Sequence, residues 1–476
     1  MFKNLRQSLS NHTGAVAAAI GSAATFSFFL LAYPYHLMRR EQMNLFLFDT
    51  DYIRQTYHGS GWMARFVCDF LDQFFGLPVV GPLVITLLLV AIGSVTYRIC
   101  RKVLGKWPSL AIAAVVFLWS FFRETDNYFS TRYTIATLGY LSLVLLALSF
   151  RKGWMKAVAA ALALAFGVWA LAFPVHKYYG KPWGVPVLAY DKIIGLDTEV
   201  SREHWDKVIK RSGKDLYMTE ASFCYNLANA MKGQLGKNLF NYAQNSMYSL
   251  LIWIIPEHNA FSNTLAGEAW FHLGDMTAAE QSAIIGLQAS PKHTGVRYIK
   301  RLAKVNLLSG EYGAAQKYLE ILSKTLFYGR WAMKMMPGRQ DAATATELEA
   351  ARSKLAGKDF VYSNNGAFRA VMAGLLEANP DNDMAREYLL CYDMLIFDLD
   401  HFAEVYAAKP IDYHTYQEAI LVWLSQQDAL NAENLARFGI PTSIVDRMDR
   451  FFMRPEKFRN TYWFYYMEAA TRQLGE

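Results

Sequence analysis

The chain has only four cysteines among its 476 residues, Cys68, Cys100, Cys224 and Cys391, and none belongs to a Cys-x-x-Cys pair. That excludes a zinc module and a dense disulfide framework. Buried free thiols are the expectation, with Cys224–Cys391 as the one bridge left open in an oxidising compartment. The ten histidines show no His-x-His or His-Glu-x-x-His spacing, so no metal site is expected. A Gly-x-Ser-x-Gly elbow, a Walker loop and a Gly-x-Gly-x-x-Gly turn are also missing, and no cofactor is implied. A basic stripe is lacking too, although the formal charge is +7. Residues 1–174 hold 15 Lys/Arg against 7 Asp/Glu, whereas the remainder holds 33 against 34. The excess lies among apolar runs, and no nucleic-acid surface is left.

What the chain does have is apolar length. Hydrophobic residues make up 53% and aromatics 15%. Five runs approach the roughly 20 residues that a helix needs to cross a bilayer: 15–35, 79–97, 107–122, 133–150 and 157–173. Aromatics such as Tyr33, Tyr35, Trp107, Tyr133 and Trp154 cluster at their ends, as interfacial belts require. The first run follows Lys3 and Arg6 but lacks a small-x-small cleavage site, so it reads as a retained anchor. Arg98, Arg101, Lys102 and Lys106 join the second and third runs; Arg151, Lys152 and Lys156 join the fourth and fifth. Neither loop has an acidic residue. The positive-inside rule then puts the N-terminus and both loops in the cytoplasm and everything after Phe173 on the far side, a periplasm in a bacterium.

Between the first two runs, Val67, Phe70, Leu71, Phe74 and Phe75 recur at helical spacing opposite Asp69, Asp72 and Gln73, the pattern of an amphipathic helix lying in the outer interface. Two acidic pairs face the same side, Asp49/Asp51 in the first outer loop and Glu124/Asp126 in the second. In outline they look like the outer-loop carboxylates of polyprenyl-phosphate-dependent membrane glycosyltransferases, where such groups act as base or hold a divalent metal against a lipid phosphate. Solvated loop charges and helix caps are the competing reading.

The far half is organised by a repeat. Gly274-Asp275-Met276 with Ala278-Ala279 returns 36 positions later as Gly310-Glu311-Tyr312 with Ala314-Ala315. Gly274 and Gly310 sit where a helix stops and the chain reverses. Gly267 and Ala303 before the turns, and Ala279 and Ala315 after them, are small enough for helices to approach closely. The period and the small crossings resemble the tetratricopeptide repeat. Tyr178–Pro186 marks the boundary between the halves, and helical rhythm continues to the end. The aromatic run Tyr462–Tyr466 is read as a cap core or as a docking face. "DLDH" at 398–401 is read as a capped turn.

Several phrases together resemble an uncharacterised family of multi-pass bacterial membrane proteins with tetratricopeptide-like C-terminal halves: "FLFDTDYI" (46–53), "FLDQFFGLPVVG" (70–81), "NLANAMKGQL" (226–235), "KRLAKVNLLSGEYGAAQKYL" (300–319), "TLFYGRWA" (325–332) and "YHTYQEAIL" (413–421). The resemblance implies the architecture, with fewer spans here than in other members, and implies no activity. The expected fold is all-α: a five-span transmembrane bundle in 1–180, then a tetratricopeptide-like α-solenoid in 181–476. The expected function is an inner-membrane-anchored periplasmic scaffold that binds an envelope protein or peptide in its repeat groove. The alternative is a glycosyltransferase-like enzyme using Asp49, Asp51, Glu124 and Asp126.

Overall fold

A computed structural model describes residues 13–127, 129–172, 184–213, 218–252, 254, 260–356 and 367–474, and among these residues every regular element is a helix. Most of Tyr178–Pro186, the Lys3/Arg6 flank and Phe173 lie outside the described residues. The chain forms two compact units that do not follow a single cut near residue 180. The first takes Met1–Gly195 with Ser290–Lys300 and Lys317–Met335; the second takes Leu196–Ala289, Arg301–Gln316 and Met336–Glu476.

The first unit begins with α1 (Thr13–Ser27), which continues as a wider π turn over Phe28–Ala32. Pro34 follows, at the N-terminus of α2 (Pro34–Gln42). A proline there offers no N–H and crowds the carbonyl four residues back, so the first helix cannot run on regularly. Short α3 (Thr50–Thr56) and α4 (Trp62–Asp72) lead into α5 (Val80–Arg101), α6 (Lys106–Glu124), α7 (Arg132–Ala147) and α8 (Gly153–Phe166). Among the described residues, three segments are long and apolar enough to cross a membrane: Thr13–Ala32, Val80–Arg101 and Gly153–Leu171, of 20, 22 and 19 residues. At 1.5 Å per residue each reaches roughly 30 Å. The third and fourth apolar runs are also helical, but α6 carries Lys106, Arg123 and Glu124 at its ends. α7 has 16 residues and reaches only about 24 Å. α5 is the hub, packing on α1, α6 and α7. Phe29, Tyr33, Leu37, Phe75, Ile85 and Leu89 form the buried core at one end of this bundle.

After α9 (Leu188–Ser201), the chain runs through α10 (Trp205–Arg211), α11 (Thr219–Met231) and α12 (Leu235–Asn238) into the repeat. There α13 (Ala260–Leu273) and α14 (Met276–Ala289) pack as a hairpin. α15 (Val296–Leu308) and α16 (Tyr312–Ser323) follow with the same turn. The turn glycines have φ of +104° at Gly274 and +81° at Gly310, a backbone that a side chain would strain. Ala279, Ala303 and Ala315 are fully buried. A Cβ on Gly267 would lie 2.1 Å from the Ser282 Oγ and 2.5 Å from its Cβ, so the two helices touch through the missing side chain. Gly313, also helical, has nothing within 4 Å of such a Cβ. Gly267→Ala is therefore expected to destabilise the full chain by about 1–3 kcal/mol, although alanine favours helix. Gly313→Ala is expected to be neutral or to stabilise by up to about 1 kcal/mol. Equal melting shifts for the two purified variants would contradict close packing at the first turn.

Helices α17 (Gly329–Met335), α18 (Ala342–Arg352), α19 (Ala367–Ala378), α20 (Asp383–Leu395), α21 (Leu399–Ala408), α22 (His414–Gln426), α23 (Ala432–Arg437), α24 (Thr442–Met453) and α25 (Tyr462–Leu474) complete the chain. Leu250, Leu251 and Ile252 are buried, as core residues of the second unit. Tyr462 and Trp463 are buried as well, with Tyr462 against Phe240 and Trp463 against Phe451. The aromatic run thus contributes a packed cap at this end. Glu418 of α22 holds that cap: its carboxylate accepts from the Tyr462 backbone N–H at 2.8 Å and from Arg447 at 3.0 Å.

Candidate functional site

The polar groups of the first unit gather at the end of the bundle where α2, α4 and the α6–α7 turn meet. Cys68, Asp69 and Asp72 stand at positions i, i+1 and i+4 of α4, a spacing that brings the first and last onto one helix face. Contrary to the expectation of a solvated polar face, Cys68 and Asp69 are buried. The aromatics Phe70 and Phe74 are only partly covered. The reversal has a physical reason, because the carboxylates meet donors that arrive from distant parts of the chain. Asn44 bridges them, its Nδ2 donating to Asp69 Oδ1 at 3.1 Å and to Asp72 Oδ2 at 3.0 Å. Tyr57 donates to Asp69 Oδ2 at 2.8 Å, and the Lys292 ammonium pairs with the same oxygen.

Asp72 is the less satisfied partner. Its Oδ2 also faces the Cys68 sulfur at 3.7 Å, while its buried Oδ1 has no hydrogen-bond partner. Burial, reinforced by the Asp69 charge, pushes the Asp72 carboxyl up to about 7. Burial next to Asp72 and Asp69 likewise pushes the Cys68 thiol well above its usual value. One donor atom from each of the three residues lies within 4.8 Å of the others, so the set has the span of a metal site. The Lys292 ammonium already occupies one edge of the set, on Asp69. The neighbouring cavity, of about 20 Å³, is lined by Glu41, Asn44, Asp69, Thr325 and Tyr328 among others. It has room for one water.

The second polar centre is Glu124, at zero exposure. Arg40 donates to its Oε2 at 2.6 Å and to the backbone oxygens of Glu124 and Asp126 at 3.0 and 3.3 Å. Thr131 adds a 3.1 Å bond to Oε2, and Thr134 bonds Oε1. His36 completes the group, its ring contacting the Glu124 carbonyl oxygen and Asn127 at 2.9 Å. Burial, with the Arg40 charge adding, holds the imidazole well below its usual range and so neutral.

The four carboxylates singled out in the sequence therefore have different surroundings. Asp49 caps α3 by accepting from the Tyr52 N–H at 2.9 Å and pairs with Lys324 at 2.7 Å. Asp51 is exposed in the first turn of the same helix. Glu124 is enclosed, and Asp126 lies half-buried on the turn after it. The residues that sequence reasoning missed are Asp69 and Asp72. Their signal was two carboxylates three residues apart on a helix otherwise rich in aromatics. At the DLDH turn, Asp398 caps α21 and shares Arg369 with Asp393, while His401 contacts Asp393 at 2.6 Å. Cys224 and Cys391 are both buried free thiols.

No curated protein and no solved structure matches this chain. Two stretches, 8–178 and 174–469, match a family of unknown function, and they meet beside the boundary read from the sequence. Together they cover nearly the whole chain, and the protein belongs to that family, DUF6057.

Proposed function

We propose that the protein is a membrane-anchored scaffold whose tetratricopeptide-like far half binds an apolar segment of another envelope protein. The observation that carries this reading is at the end of α24. Ile444, Met448 and Phe451 of that helix are buried, while the adjacent Phe452 and Met453 are 69% and 79% exposed. Two large apolar side chains presented together are a feature of interaction sites. The enclosure of Glu124 by Arg40 and two threonines supports this reading over the transferase. With a photo-reactive amino acid at Met453, living cells are expected to yield one discrete adduct, absent when the probe replaces exposed Glu404. The same adducts from both positions, or none from Met453, would remove the basis of the proposal.

The proposed topology has five spans, with the N-terminus cytoplasmic and the far half periplasmic. Three crossings, with α6 and α7 as a pair that does not cross, would give the same sidedness because both numbers are odd. Thiol labelling tests it at two glycines whose substitution meets no neighbour within 4 Å, Gly153 and Gly313. In a Cys100→Ser background, Gly153→Cys is expected to resist a membrane-impermeant reagent in intact spheroplasts, and Gly313→Cys to react. The opposite pattern would put the repeats in the cytoplasm.

A further inference from the structure

An apolar cavity in the first unit is a groove of about 370 Å³ between α1 and α6, floored by α5. Small residues make up much of its walls: Gly14, Ala18 and Gly21 from α1, Gly93 from α5, Ala113 and Ala114 from α6. The groove has a closed end and an open end. Toward the ends of α1 and α6 that carry Phe28 and Phe121, those two rings pack edge to face at 5.1 Å. Phe117 then blocks the space beside Gly21, where a Cβ would lie 3.4 Å from its ring. Toward Gly14 and Leu110 the mouth is marked by the exposed Arg98, with Tyr97 beside it, 3.1 Å from where a Cβ on Gly14 would lie.

We propose that this groove holds one acyl chain of an anionic phospholipid, with its headgroup at Arg98. From Gly14 to Gly21 the groove runs about 10 Å at 1.5 Å per residue, a length that takes much of one acyl chain in a leaflet about 15 Å deep. Both walls belong to helices that begin beside the basic loop. Apart from Ser94, Tyr97 and Arg98 the lining is apolar, and such a slot open to a bilayer is filled by lipid tail. Tail against small residues gives fit but little preference, because lipid is as apolar as the wall. Preference comes from charge: Arg98 is exposed at the mouth, and Arg101, Lys102 and Lys106 follow with no carboxylate between 98 and 106. That is complementary to a phosphate diester headgroup carrying net negative charge, and not to a zwitterionic one.

The test uses the full chain reconstituted in nanodiscs of equimolar phosphatidylglycerol and phosphatidylcholine, then released for native mass spectrometry. The wild type is expected to retain one phosphatidylglycerol in preference to phosphatidylcholine. Arg98→Gln, an exposed change that spares the packing, is expected to keep a bound lipid while its preference falls about fivefold, the share of one basic group. Ala18→Leu with Ala114→Leu fills the groove and is expected to lose the retained lipid of either kind, at unchanged helix content. Equal retention of both lipids by the wild type, an unchanged preference in Arg98→Gln, or a lipid-free dimer in which a second copy fills the groove would each overturn the assignment. If the groove-filling variant does not fold, the Arg98→Gln comparison decides alone.

Discussion

Replacing Arg40 by methionine is expected to be the most damaging single change in the first unit. Arg40 is the counter-charge of a carboxylate at zero exposure, 2.6 Å away. Without it, Glu124 keeps only the two threonine hydroxyls. Leaving one member of a buried pair uncompensated costs about 3–5 kcal/mol, a large share of a total stability of roughly 5–15 kcal/mol. Glu124→Gln is expected to cost less, because the amide oxygen still accepts from Thr131 or Thr134. Arg40 in that variant keeps the backbone oxygens of residues 124 and 126. The double variant Arg40→Met, Glu124→Gln is expected to recover most of the loss. The rescue separates two roles for Glu124. A structural pair can be removed as a pair with function intact, as read by melting temperature and by complementation of a deletion strain. A catalytic carboxylate cannot, and a double variant that folds but fails to complement would restore the transferase reading.

The second large effect concerns acidity. The Asp72 carboxyl, about 3.9 in an unfolded chain, is raised to about 7 in the fold. Between those values the folded state binds more protons than the unfolded one, so this group lowers stability as pH rises from about 4 to about 7, with no further change above. Facing it are Asp69 and Cys68 on its own helix, Asn44, and the charges of Arg40 and Glu124. Asp72→Asn cannot ionise and can still accept from Asn44 through its amide oxygen. It is expected to be more stable than the wild type at pH 8 by roughly 2–4 kcal/mol and nearly equal to it at pH 4. Melting curves of both proteins across that range give the difference directly. A difference that stays constant with pH would mean that folding does not raise the Asp72 pKa.

These two centres show where the sequence was readable. Gly274 and Gly310 announce their turns because a positive φ is a property of one residue, and Gly267 announces a close crossing because a missing side chain is local too. The helices of the apolar runs follow from composition in the same way. The burial of Asp69 was not readable, since the ammonium that pairs with it comes from Lys292, 223 residues further on. By itself the α4 pattern looks like a helix with a wet acidic face. Nor does the aromatic run at 462–466 disclose by composition whether it is covered. That depends on Phe240 and Phe451, which the fold brings from elsewhere.

The two returning segments also set a timetable for synthesis. Glu41, Asp49 and Asp69 are made early, but their partners Tyr328, Lys324 and Lys292 emerge 287, 275 and 223 residues later. At roughly 5–20 residues per second, that interval lasts on the order of 10–60 s. In the second half of it, the apolar helices have already left the ribosome while Asp69 still has no ammonium to neutralise it. The first unit is thus completed only by lysines and a tyrosine encoded past the chain's midpoint. A ribosome that stops anywhere between residues 180 and 290 leaves the apolar helices without the ammonium that pairs with Asp69, a chain exposed to proteolysis.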